Sequence, residues 1–391
     1  MKYSAKRMKV EDKTNPLKYV PAFIFVIFIF GFGIWFIFNP KLDYSSSEKR
    51  YLQKFPEVSV DNVASGEFGT EFESFFADHF PSRNLWVGMN SYYNLTLGNN
   101  GANGVYNCEN GYLINKPVST DNRVDKNLDA IVKFKSNTDI PVSVMFAPST
   151  GYVCDDVLPK FHDVYNDDIY FENAIDKLTK NDISFVDLRE TFKEEYKNGS
   201  KLNFKTDHHW NTMGAYTAYV QYCEKMGLKA KEKSDFTVNT YKDFYGTTYS
   251  TSGFWLTEPD NIEVWDNPDN TKDNISIKIT EGTKSETYDS MYFYDHLEED
   301  DKYPVFIDGN HALTEITNTK AQGGTLVMIK DSFSHCIAPF LAENYSKIIL
   351  VDMRYYKNNI SELAKQENAE QILVMYGIDN FATDTDIVWL K

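Results

Sequence analysis

Residues 325–353 read TLVMIKDSFSHCIAPFLAENYSKIILVDM. TLVMIK (325–330) is a short apolar run of strand length, and it is followed at once by the polar turn Asp331-Ser332-Phe333. A helical stretch from about 334 to 344 comes next, then a second apolar run, KIILVDM (347–353). Strand, turn, helix and strand within thirty residues is the unit from which parallel sheets are built. The rhythm continues outward. Toward the N-terminus, helix 121–136 leads into IPVSVMFAP (140–148), helix 167–180 into ISFVDL (183–188), and helix 212–226 follows. Toward the C-terminus, helix 359–368 leads into EQILVMY (370–376). The expected fold is α/β, a mostly parallel sheet flanked by helices on both faces. Residues 231–322 break the pattern. They are rich in Thr, Tyr, Asp and Asn, with short β-like runs such as ISIKIT and PVFIDG. They are expected to form an inserted β-rich cap over the C-terminal edge of the sheet, where such folds place ligands.

At the other end, VPAFIFVIFIFGFGIWFIF (20–38) carries no charge. Nineteen helical residues at about 1.5 Å each match the hydrocarbon thickness of a bilayer. No small-x-small cleavage pattern follows, so a retained signal anchor is expected rather than a removed signal peptide. Six basic residues against Glu11 and Asp12 in residues 1–18 put the N-terminus in the cytoplasm by the positive-inside rule. The expected organisation is a cytoplasmic tail (1–18), a span (19–39), a serine-rich stalk (40–60) and a domain outside (61–391). Within that domain, Glu67–Phe80 has helical Phe spacing, and LGNNGANGVYNCENGYLIN (97–115) reads as a hairpin built on Asn-Gly pairs.

The formal net charge is −17 despite the basic tail, so the exported part would repel a phosphate backbone and nucleic acid is a poor partner. Cys108, Cys154, Cys223 and Cys336 lack metal-cage spacing; one or two disulfides are compatible with an exported domain. The aromatic content of 15% leaves room for a carbohydrate groove without proving one.

Two short motifs carry chemistry. In Thr206-Asp207-His208-His209-Trp210-Asn211, side chains two apart in an extended segment share a side. Asp207 can then accept from His209 Nδ1, leaving Nε2 free as a base, while His208 is expected to point the other way. Asn211 or Thr212 would cap the helix that follows. A metal pair on His208 and His209 is the competing expectation, disfavoured by that divergence. The second motif is Ser332, held at a strand-to-helix turn where backbone N–H groups can stabilise an oxyanion. A serine there can equally cap the helix. His335 is a rival base without an obvious orienting carboxylate. His79, His162, His296 and His311 are expected at the surface or in the cap.

Taken together, D-H-H-W at 207–210 and D-S-F at 331–333 resemble the DHHW protein family, similar to the alginate-type polysaccharide O-acetyltransferases of the SGNH-hydrolase-like superfamily. SSSEKRYLQKFPEVS, NGYLIN, YPVFIDGNHALTEITN and IKDSFSHCIAPFL resemble that family's blocks in the same order. The resemblance implies an SGNH-like fold in which Asp207, His209 and Ser332 are the catalytic residues, with no cofactor and no metal. Phe333 is an oxyanion candidate, and Trp210, Arg354 and Tyr376 are substrate candidates, each with a structural alternative. The implied activity is O-acetyl transfer to an exported polysaccharide through an acyl-serine. The implied partner is a multi-span membrane acyltransferase that supplies the acyl group. An acetylesterase with the same residues and a non-catalytic surface assembly protein are the alternatives.

Overall fold

A computed structural model of the chain describes residues 16–45, 47–119 and 122–391. The expected cytoplasmic tail therefore lies almost entirely outside the described residues. The chain divides into two compact units, one taking residues up to Ser45 with Arg50–Val87, the other Ser46–Lys49 with Gly88–Lys391.

In the first unit, Val20–Phe38 is a single helix with the expected bounds. Leu17–Phe38 is the one helical stretch among the described residues long and apolar enough to cross a membrane. A second helix, Glu67–Asp78, ends close to the predicted limit at Phe80. Its phenylalanines form an aromatic cluster, with Phe75 and Phe76 against Phe36, and Phe55 against Phe68, Phe72 and Phe75. Residues 61–87 thus group with the apolar helix and residues 50–60 rather than with the rest of the expected outer domain.

The second unit is built on one eight-stranded sheet. In chain order its strands are β1 (Val142–Ala147), β2 (Ser184–Val186), β3 (Ile275–Glu281), β4 (Lys284–Tyr288), β5 (Leu313–Asn318), β6 (Gly323–Lys330), β7 (Tyr345–Val351) and β8 (Ala369–Gly377). Their order across the sheet is β4-β3-β5-β7-β6-β8-β1-β2. From β7 to β2 all pairings are parallel. The parallel strands alternate between two cores, as period-2 geometry requires. Leu326 and Met328 join the core under helices Thr212–Met226 and Ser334–Leu341. Val327 and Ile329 join the core under Arg123–Lys135 and Asp167–Thr179.

The insert differs from its expected form. Only Thr237–Phe244 and Asp260–Asp266 make a separate two-stranded sheet. Strands β3 and β5 instead extend the main sheet antiparallel, with β5 paired to β7. The physical reason is legible in their alternation: Ile275, Ile277 and Ile279 are buried on one face while the intervening residues are not. PVFIDG is not a strand. Tyr303–Val305 is a 3-10 turn, and Ile307 and Asp308 then adopt left-handed φ of 51° and 62°. The Asn-Gly hairpin is present, with Ala102 paired to Val105 across Asn103 and Gly104 at φ 51° and 78°.

Phe146 on β1 is fully buried and its ring meets those of Phe171, Phe185 and Phe381. Phe146→Ala is predicted to lower unfolding free energy by about 3–5 kcal/mol, the usual cost of emptying such a site. Urea denaturation followed by tryptophan fluorescence measures it; a loss below about 1 kcal/mol would contradict this packing.

Candidate functional site

Ser332 follows β6 directly and precedes helix Ser334–Leu341, so the strand delivers it to the C-terminal edge of the sheet. The turn is fixed by Asp331. One of its carboxylate oxygens accepts from Phe333 N at 2.9 Å; the other accepts from Gly377 N and Asn380 Nδ2, each at 2.8 Å. Burial nonetheless pushes the Asp331 carboxyl above its ordinary value.

Residues 203–211 form a tight loop closed by the Asn203–Trp210 bridge and by Asn211 N donating to Leu202 O. Asp260 accepts from the backbone N–H groups of Lys205 and Thr206, and from the Thr206 hydroxyl. Asn211 caps the next helix, accepting from Gly214 N. This loop carries Asp207, whose Oδ1 accepts from His209 N at 3.0 Å and lies 2.5 Å from His209 Nδ1. Asp207 Oδ2 accepts from Thr247 N and the Thr247 hydroxyl. Gly246 permits that approach: a Cβ there would stand 2.1 Å from Asp207 Cβ. Burial alone would raise the Asp207 carboxyl, but His209 and His208 hold it well below the usual carboxylate range. His209 Nε2 lies 2.7 Å from Ser332 Oγ. The His209 ring stacks on Tyr303 at 4.1 Å, and Tyr303 donates its hydroxyl to Ser332 O.

Several expected placements are corrected. His208 does not diverge from His209, because the segment is bent rather than extended; the rings lie 3.8 Å apart and His208 Nδ1 meets Thr247 Oγ1 at 2.6 Å. Asp207, His208 and His209 each bring a ligand atom within 4.8 Å of the others, a grouping that would also admit a metal ion. Both Asp207 oxygens and both His209 ring nitrogens are already engaged in hydrogen bonds. The Phe333 N–H is taken by Asp331 and is not a free oxyanion donor. Trp210 is fully buried and donates Nε1–H to Phe333 O, so it supports the turn and is no sugar platform. Tyr376 is buried in the core on the far face of the sheet. Arg354 pairs with Asp352 through two nitrogens and reaches Asn310, which accounts for it structurally.

His335 is no rival base. It is buried with Nε2 against Lys330 Nζ at 2.9 Å, and burial drives its value well below the ordinary imidazole range. His79 is buried as well, with Nε2 on Gln53 O. All four cysteines are free thiols pushed up to about 12 by burial, so no disulfide forms and none is a ready nucleophile. Sequence reasoning missed Thr247, Tyr303, Asp260 and Asn380. Only the position of Asn380 just beyond an apolar strand offered a signal.

A family model described as "DHHW protein" matches residues 174–351, which include both motifs. No curated protein matches the chain. Among solved structures, a DHHW family protein from Eubacterium siraeum is similar at 18% identity and a TM-score of 0.60. The alignment covers 74% of this chain and 95% of that one. Bacillus cereus PatB1 with a sulfonyl adduct is similar at 19% identity and a TM-score of 0.58, covering 72% and 97%. These likenesses show that this chain shares the fold of those proteins.

The loop bearing Tyr303 is tied by a histidine–carboxylate network. His296 Nε2 and His311 Nε2 meet the two oxygens of Asp308 at 2.7 and 3.0 Å, while their Nδ1 atoms meet Glu299 and Glu281. Burial opposes charging of both rings, but the hydrogen bonds to Asp308 and the glutamates raise both values. Groups raised on folding stabilise below the unfolded value of about 6.5 and lose that contribution as pH rises through the folded one. Melting temperature is therefore predicted to fall from about pH 6 to 8, with a shallower slope in the His296→Gln/His311→Gln double variant. Equal slopes in a thermal scan would contradict the network.

Proposed function

With the DHHW-family match as premise, we propose that the chain is a serine-dependent O-acetyltransferase acting on an exported or cell-surface polysaccharide. The observation that carries this is the continuous chain of contacts from Asp207 through His209 to Ser332 Oγ, at 2.5 and 2.7 Å. Asp207 holds the tautomer with the proton on Nδ1, so Nε2 presents its lone pair to the serine. His209 takes the Ser332 proton as Oγ attacks the acyl carbonyl. The proton passes to the leaving group as the tetrahedral species collapses to an acyl-serine. A sugar hydroxyl then gives its proton to His209 and attacks; collapse moves the acyl group to the sugar and the proton back to Ser332.

The Ser332 N–H, which has no partner among the described residues, is the first oxyanion donor we assign. The second is the Asn380 amide, which spends one proton on Asp331 and has another to give. No cofactor enters these steps. The apolar helix Val20–Phe38 would hold the domain outside the membrane, with the N-terminus in the cytoplasm. An acetyl group of cytoplasmic origin would then need a multi-span membrane acyltransferase as its carrier.

The grouping of Asp207, His208 and His209 favours a second reading, a metal-dependent hydrolase. Turnover of a chromogenic acetyl ester separates the two. Ser332→Ala is predicted to lose at least about a thousandfold in rate, with the wild type indifferent to a chelator. Chelator-sensitive activity that survives in Ser332→Ala would favour the metal. If water replaces an added oligosaccharide as the only acceptor, the enzyme is an esterase.

A further inference from the structure

Beside the Ser332 turn lies a cavity of about 120 Å³, bordered by Phe333, Ser149, His208, Asp379, Asn380 and Thr383. At roughly 30 Å³ per water this holds about four waters, room for the edge of one sugar ring rather than a whole oligosaccharide. A smaller recess opens beside it, again lined by His208 and Asp379.

Two groups on these walls are unspent. The Thr247 hydroxyl donates to Asp207, an ionised acceptor, so its oxygen accepts from His208 Nδ1–H. Burial and the neighbouring His209 depress His208 to about 3, so the ring is neutral. Its Nε2 then carries a lone pair, and among the described residues that atom has no hydrogen-bond partner. The Asp379 carboxylate likewise accepts no hydrogen bond among the described residues. Burial and nearby Asp167 push it up to about 7, as expected of a carboxylate left without donors. Asp167 itself is satisfied by Ser149 N and Oγ, so it does not compete for a ligand.

Two acceptors without donors suit a ligand that brings its own protons. We propose that this cavity is the acceptor subsite, in which Asp379 and His208 Nε2 receive hydrogen bonds from hydroxyls of a neutral sugar. This rests on the transfer reading above and deepens it. In its ionised form, above about pH 7, the carboxylate would repel a uronate or a phosphorylated sugar. The hydroxyl to be acylated would be presented from the His208 side to the acyl-serine next to Phe333.

The test uses the full chain in detergent, comparing wild type with Asp379→Asn and His208→Gln. The probes are para-nitrophenyl acetate as donor and cellotetraose or xylotetraose as acceptor. Asp379→Asn is predicted to lose about tenfold in transfer to sugar, measured relative to its own nitrophenol burst, the worth of one such hydrogen bond. Saturation-transfer NMR of the same sugars reads the subsite without any chemistry, and predicts weaker binding in both variants. A missing burst in the wild type would sink the acyl-serine reading, while the NMR comparison would still decide the subsite. Equal sugar binding in wild type and Asp379→Asn, or no binding of either sugar to wild type, would overturn the proposal.

Discussion

The buried Asp331 carboxylate joins the end of β6 to the end of β8 and the helix beyond it. It receives Phe333 N, Gly377 N and Asn380 Nδ2, all within 2.9 Å. Each of those donors, left unpaired in the interior, would cost about 1–3 kcal/mol. The turn that exposes Ser332 is therefore held by the same group that fixes Asn380 beside it. Replacing the carboxylate would release both at once, which explains how a serine on a loop stays in register with a histidine 123 residues earlier in the chain.

The histidine side is held by different means. Asp260, from the inserted hairpin, pins the backbone at Lys205 and Thr206. Gly246 and Thr247, at the end of that hairpin's first strand, close on Asp207. Tyr303, also from the insert, stacks on His209. The insert thus contributes walls and clamps to the site rather than a detached cover. Ile307 and Asp308, in the left-handed region, carry backbone strain that the paired histidines around Asp308 help to hold.

Much of this was legible in the chain. Runs with apolar centres, such as TLVMIK and KIILVDM, announce strands buried on both faces, and the two are parallel neighbours in the sheet. The apolar helix and the Asn-Gly hairpin followed from composition and turn chemistry. What escaped was whatever depends on contacts between distant segments. The bend at 206–209 rests on Asp260, Thr247 and Gly246, so an extended D-x-H geometry placed His208 on the wrong side. Trp210 and Tyr376 carry polar tips that suggest a binding role, but burial depends on the whole fold and not on residue type. The Phe333 N–H looked available because its partner, Asp331, is also the residue before the serine.

A sulfonyl fluoride supplies the most direct test of the central claim. It reacts with a serine only when a neighbouring base draws off the proton, and it needs no knowledge of the acceptor. Wild-type chain treated with the reagent, digested and mapped by mass spectrometry is predicted to carry the sulfonyl group on Ser332, with labelling lost in His209→Ala. A label on another residue, or none under conditions where the chain is folded, would contradict the assignment of Ser332 as a nucleophile activated by His209.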